Sequence, residues 1–272
     1  MNKANLIIFT DLDGTLLDHN TYSFDAAREA LDRVKEACIP LILCSSKTRA
    51  EIEIWRERLN NNAPFISENG GAIFFTETLN SISKKYIERN GYRIIELGTP
   101  YSELIAQFKT LKNRFGNRVR GFSEMALDEV INLTGLPQRE AVLAKQREYT
   151  EPFVFDGDKN EERELKKNIK NLNLNLTKGG RFFHLLGDND KGKAAKIIVE
   201  MYKETHPELK TVALGDSFND LPMLQAADIP ILVQKPGGVY DRQIDLPNLS
   251  RAPGVGPIGW NKALLMILSE KI

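Results

Sequence analysis

Apolar residues fall along this chain in two alternating patterns. Leu6-Ile7-Ile8-Phe9, Leu41-Ile42-Leu43-Cys44, Thr211-Val212-Ala213-Leu214 and residues 229–233 are short runs with hardly a polar break, as in strands buried on both faces. Between them the apolar positions spread to helical spacing. Residues 25–37 carry Ala27, Leu31, Val34 and Ala37 or Cys38 on one stripe, and Pro40 closes that helix. The next helix opens on the capping-box pattern Thr48-Arg49-Ala50-Glu51 and carries Ile52, Trp55 and Leu59 inward. Further helices are predicted at 191–204, 219–226 and 262–269. Strand, helix and strand in this order make right-handed crossovers, hence a parallel sheet. Pro64-Phe65-Ile66 and Ala72-Ile73-Phe74-Phe75 read as further strands joined by Ser67-Glu68-Asn69-Gly70-Gly71. The predicted core is α/β, a Rossmann-like doubly wound parallel sheet.

From residue 98 to 186 the texture changes. Charge is denser, helical spacing appears over 101–115 and around 165–169, and strands are predicted at 153–155, 172–177 and 181–186. The last two flank Lys178-Gly179-Gly180 and read as a hairpin. The expected organisation is a core of residues 1–97 and 187–272 interrupted by a small α/β insert, 98–186. Residues 234–260 show little periodicity and many Gly and Pro, and read as a long loop.

Composition narrows the function classes. The 272 residues are 42% hydrophobic and 27% charged with zero formal net charge, and no basic block marks a nucleic-acid surface. No apolar run approaches the roughly 20 residues that cross a bilayer, and Met1-Asn2-Lys3-Ala4 lacks a signal-peptide layout. Cys38 and Cys44 are expected to be buried free thiols, which fits a reducing cytoplasm. Three scattered histidines without a Cys-x-x-Cys pattern argue against zinc. The expectation is a cytoplasmic monomer or homodimer with a small-molecule ligand, no nucleic acid and no membrane.

The informative polar residues follow the predicted strands. Asp11 and Asp13 flank Leu12 just past the first strand, and residues two apart on extended chain point the same way. Ser45 follows the second strand, and Gly215-Asp216-Ser217-Phe218-Asn219-Asp220 follows the strand that ends at Leu214. In an open α/β sheet these ends line one crevice where ligands bind. Several carboxylates there require a cation, and an all-oxygen ligand set favours Mg²⁺. Plainer readings stand beside these: Asp11 and Asp13 in a loop capping the next helix, Ser45 as a helix cap with Ser46 its rival for the site, Lys193 in place of Lys191, and His184 as a hydrogen-bonded core histidine.

Asp11-Leu12-Asp13-Gly14-Thr15, Ser45, Lys191 and Gly215-Asp216 through Asp220 resemble the four motifs of the haloacid dehalogenase superfamily of phosphohydrolases, and the insert is similar to the α/β cap of its Cof-type branch. Leu43-Cys44-Ser45-Ser46-Lys47-Thr48, Ser67-Glu68-Asn69-Gly70-Gly71, Arg147 through Phe153, Gly180 through His184 and Gly256-Pro257-Ile258-Gly259-Trp260 resemble, more narrowly, the mannosyl-3-phosphoglycerate phosphatase family. The resemblance implies that Asp11 is the nucleophile and Asp13 the general acid and base. It implies Mg²⁺ held by Asp11, the Asp13 carbonyl and Asp216, with Asp220 and Asn219 arranging its waters. Ser45 would bind a phosphoryl oxygen and Lys191 would balance charge. A phosphoglyceryl substrate also carries a carboxylate, for which Lys47, Lys178 and Arg181 are candidates, while Asn69 is a candidate for a sugar hydroxyl. A glucosyl substrate, another sugar phosphate, or a phosphosugar mutase with the same nucleophile are the alternatives.

Overall fold

In the computed structural model, which describes residues 5–76 and 84–269, the continuous apolar runs are parallel strands. Met1 through Ala4 lie outside the described residues. The first part of the chain forms β1 (Leu6–Thr10), α1 (Arg28–Glu36), β2 (Leu41–Cys44), α2 (Arg49–Leu59), β3 (Phe65–Ser67), β4 (Ala72–Phe75), β5 (Ile87–Arg89) and β6 (Tyr92–Glu96). The middle forms α3 (Tyr101–Phe115), β7 (Val119–Gly121), α4 (Leu127–Thr134), α5 (Gln138–Ala144), β8 (Thr150–Phe155), α6 (Lys159–Asn171), β9 (Asn175–Lys178) and β10 (Phe183–Leu186). The last part forms α7 (Lys191–Lys203), β11 (Lys210–Gly215), α8 (Leu221–Gln225), β12 (Ile229–Gln234), β13 (Ser250–Val255) and α9 (Pro257–Ser269).

The larger sheet has the order β13-β12-β11-β1-β2-β3-β4-β6-β5. Its strands from β13 to β3 are parallel, and β4, β6 and β5 continue it antiparallel. The parallel set runs outward from β1 in both directions, so the strand order reverses between β1 and β11 and opens a crevice at their carboxyl ends. Alternation along β1 divides the core. Leu6 and Ile8 face α1, α2 and α9 through Val34, Trp55 and Leu264. Ile7 and Phe9 face α7 and α8 through Ile198 and Leu224. Burial on both faces explains why these strands carry no polar alternation.

The second sheet, β7-β8-β10-β9, is antiparallel throughout. One face packs Phe153, Phe183 and Leu185 against α3 and α6. On the other, Phe182 and Val154 pack beside Phe122, Val130 and Ala141 from the α4–α5 side.

Several elements depart from the sequence expectation. The segment read as a long loop contains β13, an edge strand whose Pro253 and Gly254 are tolerated because only one side pairs. Helix α9 begins at Pro257, ahead of residue 262, because a proline suits the first helical turn. Strand β9 starts at Asn175 rather than 172, since Leu172 caps α6 and Asn173 turns at φ 56°. Cys44 is buried, but Cys38 is exposed. The chain turns left-handed there, at φ 52°, as α1 ends, and carries the thiol to the surface.

Candidate active site

Strand β1 delivers Asp11 to the crevice, where its amide donates to the Leu214 carbonyl at 3.0 Å. The Thr10 hydroxyl donates to the Asp11 carbonyl at 2.7 Å and accepts the buried Trp260 indole N–H at 3.0 Å. A helix near the far end of the chain thus props the backbone under Asp11. The turn beyond Asp13 needs glycine. Gly14 sits at φ 79°, and a Cβ there would come within 3.0 Å of Asp216 Oδ2.

Lys191, fully buried at the start of α7, binds two carboxylates at once, with Nζ 2.6 Å from Asp11 Oδ1 and 2.6 Å from Asp220 Oδ1. The other Asp220 oxygen accepts the amides of Asp216 and Ser217, both at 3.0 Å. Asp220 is therefore committed to holding Lys191 and the turn after β11. Ligand oxygens of Asp11, Asp216 and Asp220 lie within 4.8 Å of one another. Burial pushes the Asp11 carboxyl well above the carboxylate range, against the pull of Lys191 and with the push of Asp220 and Asp216. Burial, then Asp220, pushes Asp216 up to about 7. Three buried carboxylates around one ammonium leave negative charge uncompensated. This all-oxygen donor set fits a hard divalent cation.

The crevice continues into a cavity of about 220 Å³, walled by Asp11, Asp13 and Asp216 on one side and by Arg147, Arg181 and His184 from the β7–β10 side on the other. Asp13 Oδ2 meets Lys47 Nζ at 3.1 Å, and its Oδ1 is buried without a partner. Lys47 also lies 3.5 Å from Glu51 Oε1 and packs on the Tyr22 ring, 5.2 Å from its centroid. Burial opposes its charge, but Asp13 and Glu51 outweigh that and hold Lys47 above the ordinary lysine value.

The remaining candidates are distributed as follows. Ser45 is fully buried and its Oγ accepts the Lys47 amide at 3.2 Å, which leaves the hydroxyl proton to donate elsewhere. Ser46, its rival, lines the cavity. Asn69 sits in the turn after β3 at φ 57°, and its Oδ1 accepts from Asn219 Nδ2 at 3.1 Å while its own Nδ2 is buried and unpartnered. Arg181 lines the cavity, but its guanidinium donates to the Thr134 carbonyl and, at 3.4 Å, to the His19 carbonyl. Lys178 lies apart from these groups, its Nζ over the Phe183 ring at 4.5 Å on the α3–α6 side. Arg147 and Tyr22 also line the cavity and were not among the sequence candidates. Neither carries a local sequence signal, because each reaches the cavity from a loop whose path the periodicity does not give.

His184 differs from the expected hydrogen-bonded core histidine. It is buried, but on the β10 face opposite Phe183 and Leu185, and its Nδ1 has no partner. Burial, with Arg147 and Lys191 adding to it, lowers its pKa to about 3. A depressed folded-state value contributes stability that is complete above 6.5 and is lost as pH falls toward 3. Folding should therefore lose ~2 kcal/mol between pH 6.5 and 5 from this residue alone. Urea unfolding across that range should show a correspondingly flatter acid limb in His184→Leu; parallel pH profiles for the two proteins would refute this.

Glu68 joins the two parts of the molecule. At φ 48° after β3, with its carboxylate fully buried, it accepts the amides of Glu148 (2.8 Å), Tyr149 (3.2 Å) and Thr150 (2.8 Å) and the Thr150 hydroxyl (2.8 Å). Burial raises its pKa against the opposing charge of Arg147.

A parallel sheet with paired acids at its switch point, a lysine bridging them and an inserted α/β unit over the crevice defines a class, and the match to the haloacid dehalogenase-like hydrolases over residues 8–235 agrees: the chain belongs to that family. Within it, the chain is 49% identical to the glucosyl-3-phosphoglycerate/mannosyl-3-phosphoglycerate phosphatase of Methanococcoides burtonii, over 97% of both chains. It is 40% identical to the protein of the same name from Persephonella marina, over 97% of this chain and 98% of that one. A haloalkanoate-superfamily phosphatase from Bacteroides thetaiotaomicron shares the fold at 16% identity, with a TM-score of 0.66 over 96% of this chain and 94% of that one.

Proposed function

We propose that this chain hydrolyses glycosyl-3-phosphoglycerate, carrying mannose or glucose, to glycosylglycerate and phosphate. The observation that carries the reading is the buried Lys191 joining Asp11 to Asp220 with Asp216 alongside, and the named activity of the relatives supports the substrate. Asp11 attacks phosphorus through the oxygen that Lys191 does not hold, forming an aspartyl-phosphate as the ester P–O bond breaks. Asp13 gives a proton to the departing ester oxygen. In the second half Asp13 takes a proton from water, whose oxygen bonds to phosphorus, and phosphate leaves with Asp11 regenerated. Ser45 directs its free hydroxyl proton toward a phosphoryl oxygen. Mg²⁺, held by Asp11, Asp216 and the Asp13 carbonyl, would neutralise phosphate charge so that an anionic nucleophile can approach. Residues 98–186 act as the cap over a core of 1–97 and 187–272, and exclude water during transfer. A cytoplasmic setting fits the two free cysteines, and no helix among the described residues is long and apolar enough to cross a membrane.

Free-phosphate assays on both glycosyl-3-phosphoglycerates and on simple sugar phosphates test this. Turnover of the glycosyl-3-phosphoglycerates should stop with EDTA and return with Mg²⁺. Full activity after metal removal, or transfer of phosphate to a sugar hydroxyl instead of water, would overturn it.

A further inference from the structure

We infer that Lys47 is a specificity-determining residue that gives up Asp13 for the carboxylate of the substrate, so that binding the right substrate frees Asp13 for the chemical step. The inference rests on the proposed substrate class and goes beyond it.

Asp13 Oδ1 is buried, although the side chain as a whole is 38% exposed, so Oδ2 is the oxygen that can reach the departing ester oxygen, and Lys47 Nζ engages it at 3.1 Å. The ammonium therefore has to move for the reaction to proceed. The backbone of Lys47 is fixed. Its amide donates to Ser45 Oγ at 3.2 Å and its carbonyl accepts the Glu68 amide at 3.0 Å. Only the four-carbon stem is free to move. The ring of Tyr22 limits that motion and keeps the ammonium on the cavity wall. Tyr22 itself sits at φ 56°, uncommon for a bulky residue. Asp18 holds this turn, with Oδ1 accepting the amides of Asn20 (3.1 Å) and Thr21 (2.9 Å) and the Thr21 hydroxyl (2.9 Å). A costly backbone state held by so many contacts is the kind of strain that accompanies a functional site.

The other cations on the cavity wall are committed to groups that take no part in the chemical step. Arg147 donates to the carbonyls of Ala144 (2.7 Å) and Ser46 (2.8 Å), Arg181 to those of Thr134 and His19, and Lys235 binds Asp241 at 2.7 Å. Among the described residues lining the cavity, Lys47 is the cation whose partner must be released. An incoming carboxylate offers that ammonium a replacement for Asp13, while Glu51 remains at 3.5 Å.

The test compares the Mg²⁺-loaded protein on glucosyl-3-phosphoglycerate and on an analogue with CH₂OH in place of the carboxylate. The wild type should favour the carboxylate substrate in kcat/KM by roughly 30-fold or more, with part of the effect in kcat. In Lys47→Met that ratio should fall to within about threefold, while Lys47→Arg should retain most of it. A ratio unchanged in Lys47→Met overturns the inference, because Lys47 would then serve both substrates alike. If Lys47→Met does not fold, product inhibition of the wild type decides: glucosylglycerate should inhibit at least about tenfold more tightly than glucosylglycerol, and equal inhibition overturns the inference. Absence of phosphate release from either substrate by the wild type would instead defeat the proposed function.

Discussion

Asp11→Asn should lower phosphate release by on the order of 10⁴-fold or more, the usual cost of removing a covalent nucleophile, while the protein unfolds at close to the wild-type temperature. The geometry separates the two effects. Asn has the same shape and an amide oxygen that still accepts from Lys191, and Lys191 keeps its second carboxylate, Asp220, at 2.6 Å. The substitution also removes one of three crowded buried acids. The ability to bond to phosphorus is lost, together with one negative charge at the proposed metal site. Phosphate release within tenfold of wild type would take Asp11 out of the nucleophile role.

Glu68→Ala should cost about 3–5 kcal/mol of folding stability, measured by urea unfolding at pH 7. Its carboxylate accepts four donors in a fully buried place, and three of them are consecutive backbone amides at the entry to β8. Without it those amides lose this acceptor in a buried place. Glu68→Gln should fall between the two, since an amide oxygen can accept some of these bonds but its NH₂ opposes the rest. A loss below about 1 kcal/mol in Glu68→Ala would mean that the segment finds other acceptors.

How far the sequence was legible follows from how local each signal is. Strands β1, β2, β11 and β12 announce themselves because burial on both faces demands unbroken apolar runs. The Thr48 capping box was equally plain, and both of its reciprocal bonds form. The hairpin of β5 and β6 was missed because its first strand is exposed and carries charge, although the Asn90-Gly91 turn, at φ 54° and 78°, was a usable sign. Strand β13 hid behind its Pro and Gly. In the candidate site, Asp11, Asp216 and Asp220 were readable because strand ends of a parallel sheet converge, while Lys191, with Lys193 its rival, was picked out by the family resemblance. The links from Trp260 to Thr10, from Lys47 to Asp13 and from Glu68 to Thr150 were not, because each depends on how side chains from separate elements meet. Lys178 shows the opposite failure: its composition fitted an anion site, but the pleat of β9 turns it to the other face.

The strand order also bears on how this molecule is made. β1 leaves the ribosome well before one of its two neighbours, β11, which is translated roughly 200 residues later. At 5–20 residues per second that interval is roughly 10–40 s. Throughout it, this buried apolar strand has one unpaired edge open to other nascent chains. Slow elongation or crowded polysomes should thus harm the yield of this protein more than its finished stability would suggest.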